Sequence, residues 1–410
     1  MDSSDLASLI VQLLASSGAR GMTREELYTQ LAVSRTVLGR ALDELIQEGS
    51  VQIRRIRGSE KTRTAKLGET HAGRPAQRVY LVDKKAYAIG IVLRKRHSTA
   101  VAVSRLGTVL SVVSIDRDFH INDSYPIEHI LRTLCARLIE EARSIDLSQI
   151  QYVGIGLPVP TRLLDAQEYS ETVVNIRAAV QEFWDAPCWI DNSVLDSALA
   201  EFALLRRTRS VQQPAVFSQL YIHVSGGISS SLVIAHDSGD QASFPVATSL
   251  GEFGHVTIPG HSALCYCGKR GCLETIASTA GLSFAAHMPS FDDVVAGYEA
   301  GDHACQAAYR DAVQAVSFAL SITMIAVLPQ VVVIGGDVAH AFRTFADDVQ
   351  TKVSHEVTSA LGRKPDFVRA GVTDVDAAFA AIDLARRNAA HHDVSTAHAA
   401  QIIQTHRPQR

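Results

Sequence analysis

Gly251 to Glu274 reads GEFGHVTIPGHSALCYCGKRGCLE, and the chain is organised around it. Three cysteines, Cys265, Cys267 and Cys272, fall within eight residues, and His255 lies ten residues before the first. Cys-x-Cys-Gly-x-x-Gly-Cys supplies soft thiolate ligands, and Gly268 and Gly271 let the backbone turn tightly around one point. With His255 there are four ligands, which closes a tetrahedral shell, so the expected metal is a structural Zn2+ without an open catalytic position. A disulfide is the competing use of such cysteines, and three clustered thiols in a chain of intracellular character disfavour it.

The same stretch carries a family resemblance. Gly-Glu-x-Gly-His followed by Cys-x-Cys-Gly-x-x-Gly-Cys-x-Glu is similar to the signature of the ROK family, which groups sugar kinases with sugar-responsive transcriptional repressors. The resemblance extends from Met1 to the early 380s and weakens in the tail.

At 410 residues the chain exceeds one ordinary core, and two or three domains are expected. Hydrophobic content of 47% against 20% charge describes a soluble globular protein. No cleavable leader is read, nor any apolar run long enough to span a bilayer; SFALSITMIAVLPQVVVIGG is broken by Pro329 and Gln330. Cys135, Cys188 and Cys305 stand alone as core residues, and the expected compartment is the cytoplasm, with no membrane partner. A net charge of −4 conceals an asymmetry: residues 1–85 hold 14 Lys/Arg and 10 Asp/Glu, and 50–78 holds eight basic residues against two acidic. A basic leading segment on an acidic body points to nucleic acid as partner of the first and a small ligand for the second.

The leading segment has the pattern of a helix-turn-helix. Leu6, Ile10, Leu13 and Leu14 share one face of a helix over 5–17, and Thr23-Arg-Glu-Glu26 is a capping box that opens a second helix. Ala32-Val33 makes a turn and Ser34 caps a recognition helix over 34–48, with Val37, Leu38, Ala41, Leu42 and Leu45 facing inward. Arg35, Thr36 and Arg40 lie on the opposite face as candidate DNA contacts. SVQIRRIRG and QRVYLVD are β-like runs joined by a basic loop, which together read as a wing. Arg54, Arg55, Arg57, Lys61, Arg63 and Lys66 suit phosphates, which give affinity without sequence choice. Gly73-Arg74-Pro75 resembles the Gly-Arg-Pro of ROK repressors, and such an arginine can enter a narrow A·T minor groove; a plain turn is the alternative.

From Tyr87 the pattern is three strands, a helix over 126–145 and the strand QYVGIGLPVP. A helix near 174–184, the strand CWIDN and a helix over 193–206 follow, then the hairpin SQLYIHVSGG–SSSLVIAH. After the metal segment come helices around 273–286, 292–300 and 303–327, the strand QVVVIGG and a last strand near DFVRAG. Two such halves resemble the actin-like ATPase fold of sugar kinases, a duplicated ribonuclease H-like α/β architecture. The expected organisation is an α+β winged-helix DNA-binding domain over 1–83, an effector domain over 84–385 and a partly frayed tail over 386–410 with His391, His392, His398 and His406.

The resemblance also bears on chemistry. ROK kinases end their first strand in Asp-Gly-Gly-Thr, whose glycines admit ATP phosphate; the matching residues here are Val92, Arg94, Lys95 and Arg96. The second phosphate loop is reduced to Ser225-Gly226-Gly227-Ile228-Ser229, while Gly335-Gly336 is kept. The catalytic Asp of the Asn-Asp pair is replaced in Asn192-Ser193, and a serine hydroxyl is no base near neutral pH unaided; Asp191 and Asp196 sit elsewhere on strand and helix. The resemblance therefore implies no catalytic residues and a DNA-binding repressor, with an active sugar kinase bearing a DNA-binding appendage as the alternative. Asn192, Glu252, His255 and Glu274 would contact the hydroxyls of a sugar effector, and His255 can serve metal and sugar with its two nitrogens. A protein effector is a third reading. Operator DNA read as paired half-sites implies a homodimer or homotetramer.

Overall fold

The computed structural model describes residues 6–7, 9–11, 13–14, 21–47, 50–55, 77–82, 86–105, 107–116, 127–143, 145–159, 167–208, 216–236, 245–362 and 366–405. They form two compact units, one holding the described residues up to Ala86 with the short segments 104–108 and 144–146, the other holding the rest.

The first unit contains β1 (Met22–Thr23), α1 (Arg24–Leu31), α2 (Arg35–Gln47), β2 (Val51–Arg55) and β3 (Gln77–Leu81). The Thr23 hydroxyl accepts from the Glu26 N–H at 3.1 Å and the Glu26 carboxylate accepts from the Thr23 N–H at 2.7 Å, so two of the free donors at the start of α1 are satisfied. Ala32 ends α1 in the left-handed region, and Ser34 accepts from the Val37 N–H to open α2. An antiparallel sheet in the order β1-β3-β2 closes over Leu6, Ile10, Leu14, Leu27, Leu38 and Leu42. Val37 is not inward as expected but 46% exposed, because it lies about a quarter-turn from the stripe formed by Leu38, Ala41, Leu42 and Leu45. Arg57, Arg74, the rest of the basic loop and the boundary at 83/84 lie outside the described residues.

In the second unit the first sheet consists of β4 (Ala86–Val92), β5 (His97–Ser104), β6 (Val109–Asp116), β7 (Tyr152–Leu157) and β8 (Cys188–Asn192) in the order β6-β5-β4-β7-β8. The second consists of β9 (Val216–Val224), β10 (Ile228–His236), β11 (Val246–Ser249), β12 (Val331–Gly335) and β13 (Asp366–Arg369) in the order β11-β10-β9-β12-β13. The orders correspond strand for strand. In each copy the fourth and fifth strands run parallel to the first, as buried crossovers require. The first copy connects through α3 (Ile127–Glu141) and α4 (Gln167–Gln181) and ends in α5 (Ser193–Thr208).

The second copy carries an insertion after β11: the metal segment with a 3-10 turn at Phe253–His255, then α6 (Glu274–Ala277), α7 (Thr279–Ala285) and α8 (Phe291–Glu299). The single helix expected around 273–286 breaks at Ser278, whose extended backbone and hydroxyl cap α7 through the Gly281 N–H. α9 (His303–Val327) follows, then α10 (Asp337–Ala341) and α11 (Phe345–Leu361) around β12. By length and composition α9 could cross a bilayer, which the sequence reading did not anticipate, but Ala312, Val316, Leu320 and Met324 bury it in the core.

The last helix, α12 (Asp374–Thr405), runs through the boundary placed at 385/386, so the backbone of 386–405 is helical where a frayed tail was expected. It crosses β4 and β7 where Gly90 and Gly154 pair in register; a Cβ on either would collide with the backbone of Ala378 or Ala381.

Candidate metal centre and effector cavity

The metal segment folds into a knuckle. Cys265 N–H donates to the Lys269 carbonyl at 2.8 Å, Gly268 N–H donates to Cys265 at 3.0 Å, and Gly271 N–H donates to Ala263 at 2.9 Å. Gly271 has φ +72° and its α-carbon faces the His261 carbonyl, so no side chain fits there. These turns bring His255, Cys265, Cys267 and Cys272 together with all ligand atoms within 4.8 Å of one another. His255 Nδ1 lies 3.6 Å from Cys265 Sγ, and Cys267 Sγ lies 3.7 Å from Cys272 Sγ. Bond lengths of about 2.3 Å to sulfur and 2.0–2.1 Å to nitrogen at tetrahedral angles give edges of about 3.8 Å and 3.6 Å. The donor set fits a tetrahedral thiophilic ion, and all six cysteines of the chain are free thiols.

His255 also faces the cleft between the two copies. Its Nε2 lies 3.2 Å from the Tyr266 hydroxyl and 3.9 Å from Glu252 Oε2. A cavity of about 90 Å³ opens there, and all four expected effector residues, Asn192, Glu252, His255 and Glu274, line it. Asn192 is committed elsewhere: its side-chain oxygen accepts from the Val194 and Leu195 N–H groups at 2.8 and 3.3 Å, capping α5, and its amide donates to the Val159 carbonyl. Glu274 accepts from the Ile228 N–H at 3.0 Å through one oxygen. Tyr266 also lines the cavity and was missed. The signal was available, because the residue between two ligands of a Cys-x-Cys turn must face away from the metal.

The turn after β4 fills the cleft with charge. Arg94 donates to Asp374 at 2.8 Å and to the Ser197 hydroxyl at 2.7 Å. Burial opposes its charge, but Asp374, Tyr221 and Asp196 together outweigh that and raise its pKa. Lys95 donates to the Gly226 carbonyl at 2.9 Å and sits 3.8 Å from Glu274, and Arg96 lies 3.4 Å from Asp292. Ser193 is buried at the start of α5. Arg94 and His223 border a second cavity, of about 220 Å³, with Gly335, Gly336 and Arg369. Burial first, and Arg94 second, push the His223 pKa down to about 3, and its Nδ1 has no hydrogen-bond partner. Asp196 is fully buried with both oxygens unpartnered; desolvation and Asp191 push its pKa well up against the pull of Arg94.

Of the candidate DNA contacts in the first unit, Arg35, Thr36 and Arg40 are exposed on the first turns of α2. Arg35 lies over the Tyr28 ring at 5.3 Å, and Arg54 is exposed on β2 over Tyr80 at 5.4 Å. Exposed Val37 joins the same face of α2 as an apolar group. Arg55 lies at the end of β2, opposite Gln77.

Residues 107–388 match the ROK family. The chain belongs to that family. The xylose repressor of Bacillus subtilis is 22% identical over 318 residues, covering 73% of this chain and 77% of the repressor. A ROK family transcriptional regulator, a homologue of the E. coli MLC protein, superposes with a TM-score of 0.57 at 18% identity over 94% of this chain and 97% of its own. A ROK family glucokinase from Streptomyces griseus, solved with glucose and AMPPNP, gives a TM-score of 0.55 at 18% identity over 73% of this chain and 99% of its own. The ROK fold, with its actin-like pair of α/β sheets, is thus common to this chain, a regulator and a kinase.

Proposed function

We propose that the chain is a ROK-type transcriptional regulator, a repressor, whose second unit is a kinase-derived effector domain without kinase activity. One observation carries this: the turn Arg94–Arg96, where a phosphate would need bare backbone, instead sends three cations into ion pairs with Asp374, Glu274 and Asp292. Ser193 leaves no base at the strand end that carries Asp in family kinases. The first unit, with a capped helix pair and a three-stranded sheet, is read as a winged helix-turn-helix with α2 in the major groove. The regulator's likeness covers 94% of the chain against 73% for the glucokinase, which supports a shared layout beyond the kinase-like part. A structural zinc on His255, Cys265, Cys267 and Cys272 would fix the His255 tautomer and hold Glu252 and Glu274 in place for a sugar effector. Paired half-sites would call for a dimer or tetramer.

The experiment is selection of bound DNA from a random pool, with and without a sugar panel, alongside an assay of sugar-dependent ATP turnover. A selected operator released by a sugar supports the reading, and ATP turnover overturns it. On that operator, Arg40→Ala relaxes sequence preference by about 1–3 kcal/mol at one position, while Arg55→Ala weakens all sequences alike and lowers the salt slope by about one.

A further inference from the structure

We infer that Tyr266 is a ligand-contacting, specificity-determining residue of the cleft cavity, whose hydroxyl, rather than the His255 ring, reads one hydroxyl of the bound sugar; the inference rests on the reading of this cavity as the effector site. The cleft-facing nitrogen of His255 carries it. Nδ1 is turned toward the Cys265 thiol at 3.6 Å, whereas Nε2 lies 3.2 Å from the Tyr266 hydroxyl and 3.9 Å from Glu252, the latter beyond hydrogen-bond distance. A metal on Nδ1 would leave the ring proton on Nε2. That imidazole has a single N–H, and the Tyr266 oxygen accepts it. His255 is thereby spent, while Tyr266 keeps its own proton: among the described residues its hydroxyl has no other hydrogen-bond partner.

The surroundings call for such a donor. Glu252 and Glu274 line the cavity, and their carboxylates only accept. Asn192 is committed to the α5 cap and the Val159 carbonyl, and Lys95 to the Gly226 carbonyl and Glu274. A sugar hydroxyl both donates and accepts, so carboxylates alone leave its lone pairs unmatched. The Tyr266 hydroxyl is also held in place before a ligand arrives. Tyr266 stands at the tip of a tight turn, closed by the Gly268 N–H on the Cys265 carbonyl at 3.0 Å, with a candidate metal ligand on either side. Lys269 donates to the His255 carbonyl at 2.9 Å and ties that turn to the residue on which Tyr266 leans. Pre-organisation of this kind lowers the ordering cost of binding. The side chain is 74% exposed, so it reaches the cavity from the rim and supports no core.

That exposure makes the test clean, because Tyr266→Phe deletes one oxygen without opening a cavity. Calorimetry compares the full wild-type chain with Tyr266→Phe, using glucose, mannose and xylose and the monodeoxy analogues of each. The wild type is expected to bind one monodeoxy analogue about tenfold more weakly than its parent sugar. Tyr266→Phe weakens the parent sugar several-fold and no longer distinguishes it from that one analogue, a coupling that a merely structural role does not produce. Equal metal content and equal melting temperatures of the two proteins exclude damage to the knuckle. Unaltered sugar affinity in Tyr266→Phe overturns the inference, as does a uniform loss that leaves every analogue's penalty in place. Tighter binding by Tyr266→Phe overturns it too, since the tyrosine would then compete with the ligand for His255. Those three outcomes leave the sugar-effector reading standing, whereas heat from no compound in the panel overturns both.

Discussion

The two copies of the strand–helix repeat meet the cleft with turns of opposite character. Leu93–Arg96 joins β4 to β5 with three long cationic side chains, and Ser225–Gly227 joins β9 to β10 with two glycines. The strand order is the same on either side, so the backbone frame does not distinguish them. Side chains do. The first turn sends charge into the cleft and ties it to Asp374, Glu274 and Asp292, and the second offers bare backbone on which Lys95 rests. Duplication conserves the place where ligands bind, at the strand ends, while a few residues at each turn decide what can enter.

The largest effect is expected from removing what only the second copy possesses. Cys272→Ser should abolish metal binding and lower the melting temperature by more than ten degrees, because apparent zinc binding free energies of about 10–16 kcal/mol are also folding free energies. Metal analysis and calorimetry of the purified chain check this. Protein that carries no metal, or a variant that melts like its parent, removes the zinc assignment.

Next in size is the lock in the first turn. Arg94→Ala leaves Asp374 without its guanidinium at the start of α12 and removes the donor from which the Ser197 hydroxyl accepts. Breaking one side of this partly buried pair should cost about 1–3 kcal/mol, which urea titration resolves. A loss well under 1 kcal/mol would show a turn that is merely decorated with charge. Ser193→Asp alone should produce no ATP turnover, since the three cations still fill the turn; turnover would equate the two turns functionally.

A smaller effect concerns Asp196, one turn into α5 beside Arg94. Its folded pKa is raised, so the native state binds a proton that the unfolded chain has released. Stability therefore falls as pH rises from about 4 through the folded pKa. Asp196→Asn should match the parent at pH 3 and exceed it by about 1–3 kcal/mol at neutral pH. His223 acts in the reverse sense: its pKa is lowered to about 3, so its contribution is lost as pH falls below about 6.5. Urea titrations across pH 3–7 separate the two, and an Asp196→Asn gain that does not grow with pH would contradict the buried orphan carboxyl.

Much of this is legible in the sequence alone. The repeated order of strands and helices implies the two sheets, and the His/Cys cluster that could hold a metal is legible because one short segment contains all four residues. The Asn192 cap was also within reach, since asparagine directly before a helix prefers to bind its free N–H groups. Burial of the Asn192 side chain was not, because only the packed β7–β8 edge reveals it. Lys95 read as an obstruction; its partners Gly226 and Glu274 come from the other copy, and no local pattern links positions so far apart. Val37 misled because an edge residue of an amphipathic stripe satisfies the same periodicity as a central one.

The smallest expected effect sharpens the comparison most. A Cβ at Gly226 would stand 3.1 Å from Cδ of Lys95, the middle of a flexible side chain that can give way. A Cβ at Gly254, in the same copy, would collide with the rigid backbone of Ile228 and approach Glu274 at 3.0 Å. Gly226→Ala should therefore cost under about 1 kcal/mol, while Gly254→Ala serves as a control at about 1–3 kcal/mol or more. The displaced Lys95 should loosen its hydrogen bond to the Gly226 carbonyl. Equal destabilisation by the two alanines would mean that Lys95 is pinned as firmly as backbone. An unaltered Lys95 side-chain NMR signal in Gly226→Ala would mean that the glycine turn is no seat for the lysine, and the two turns would then act independently.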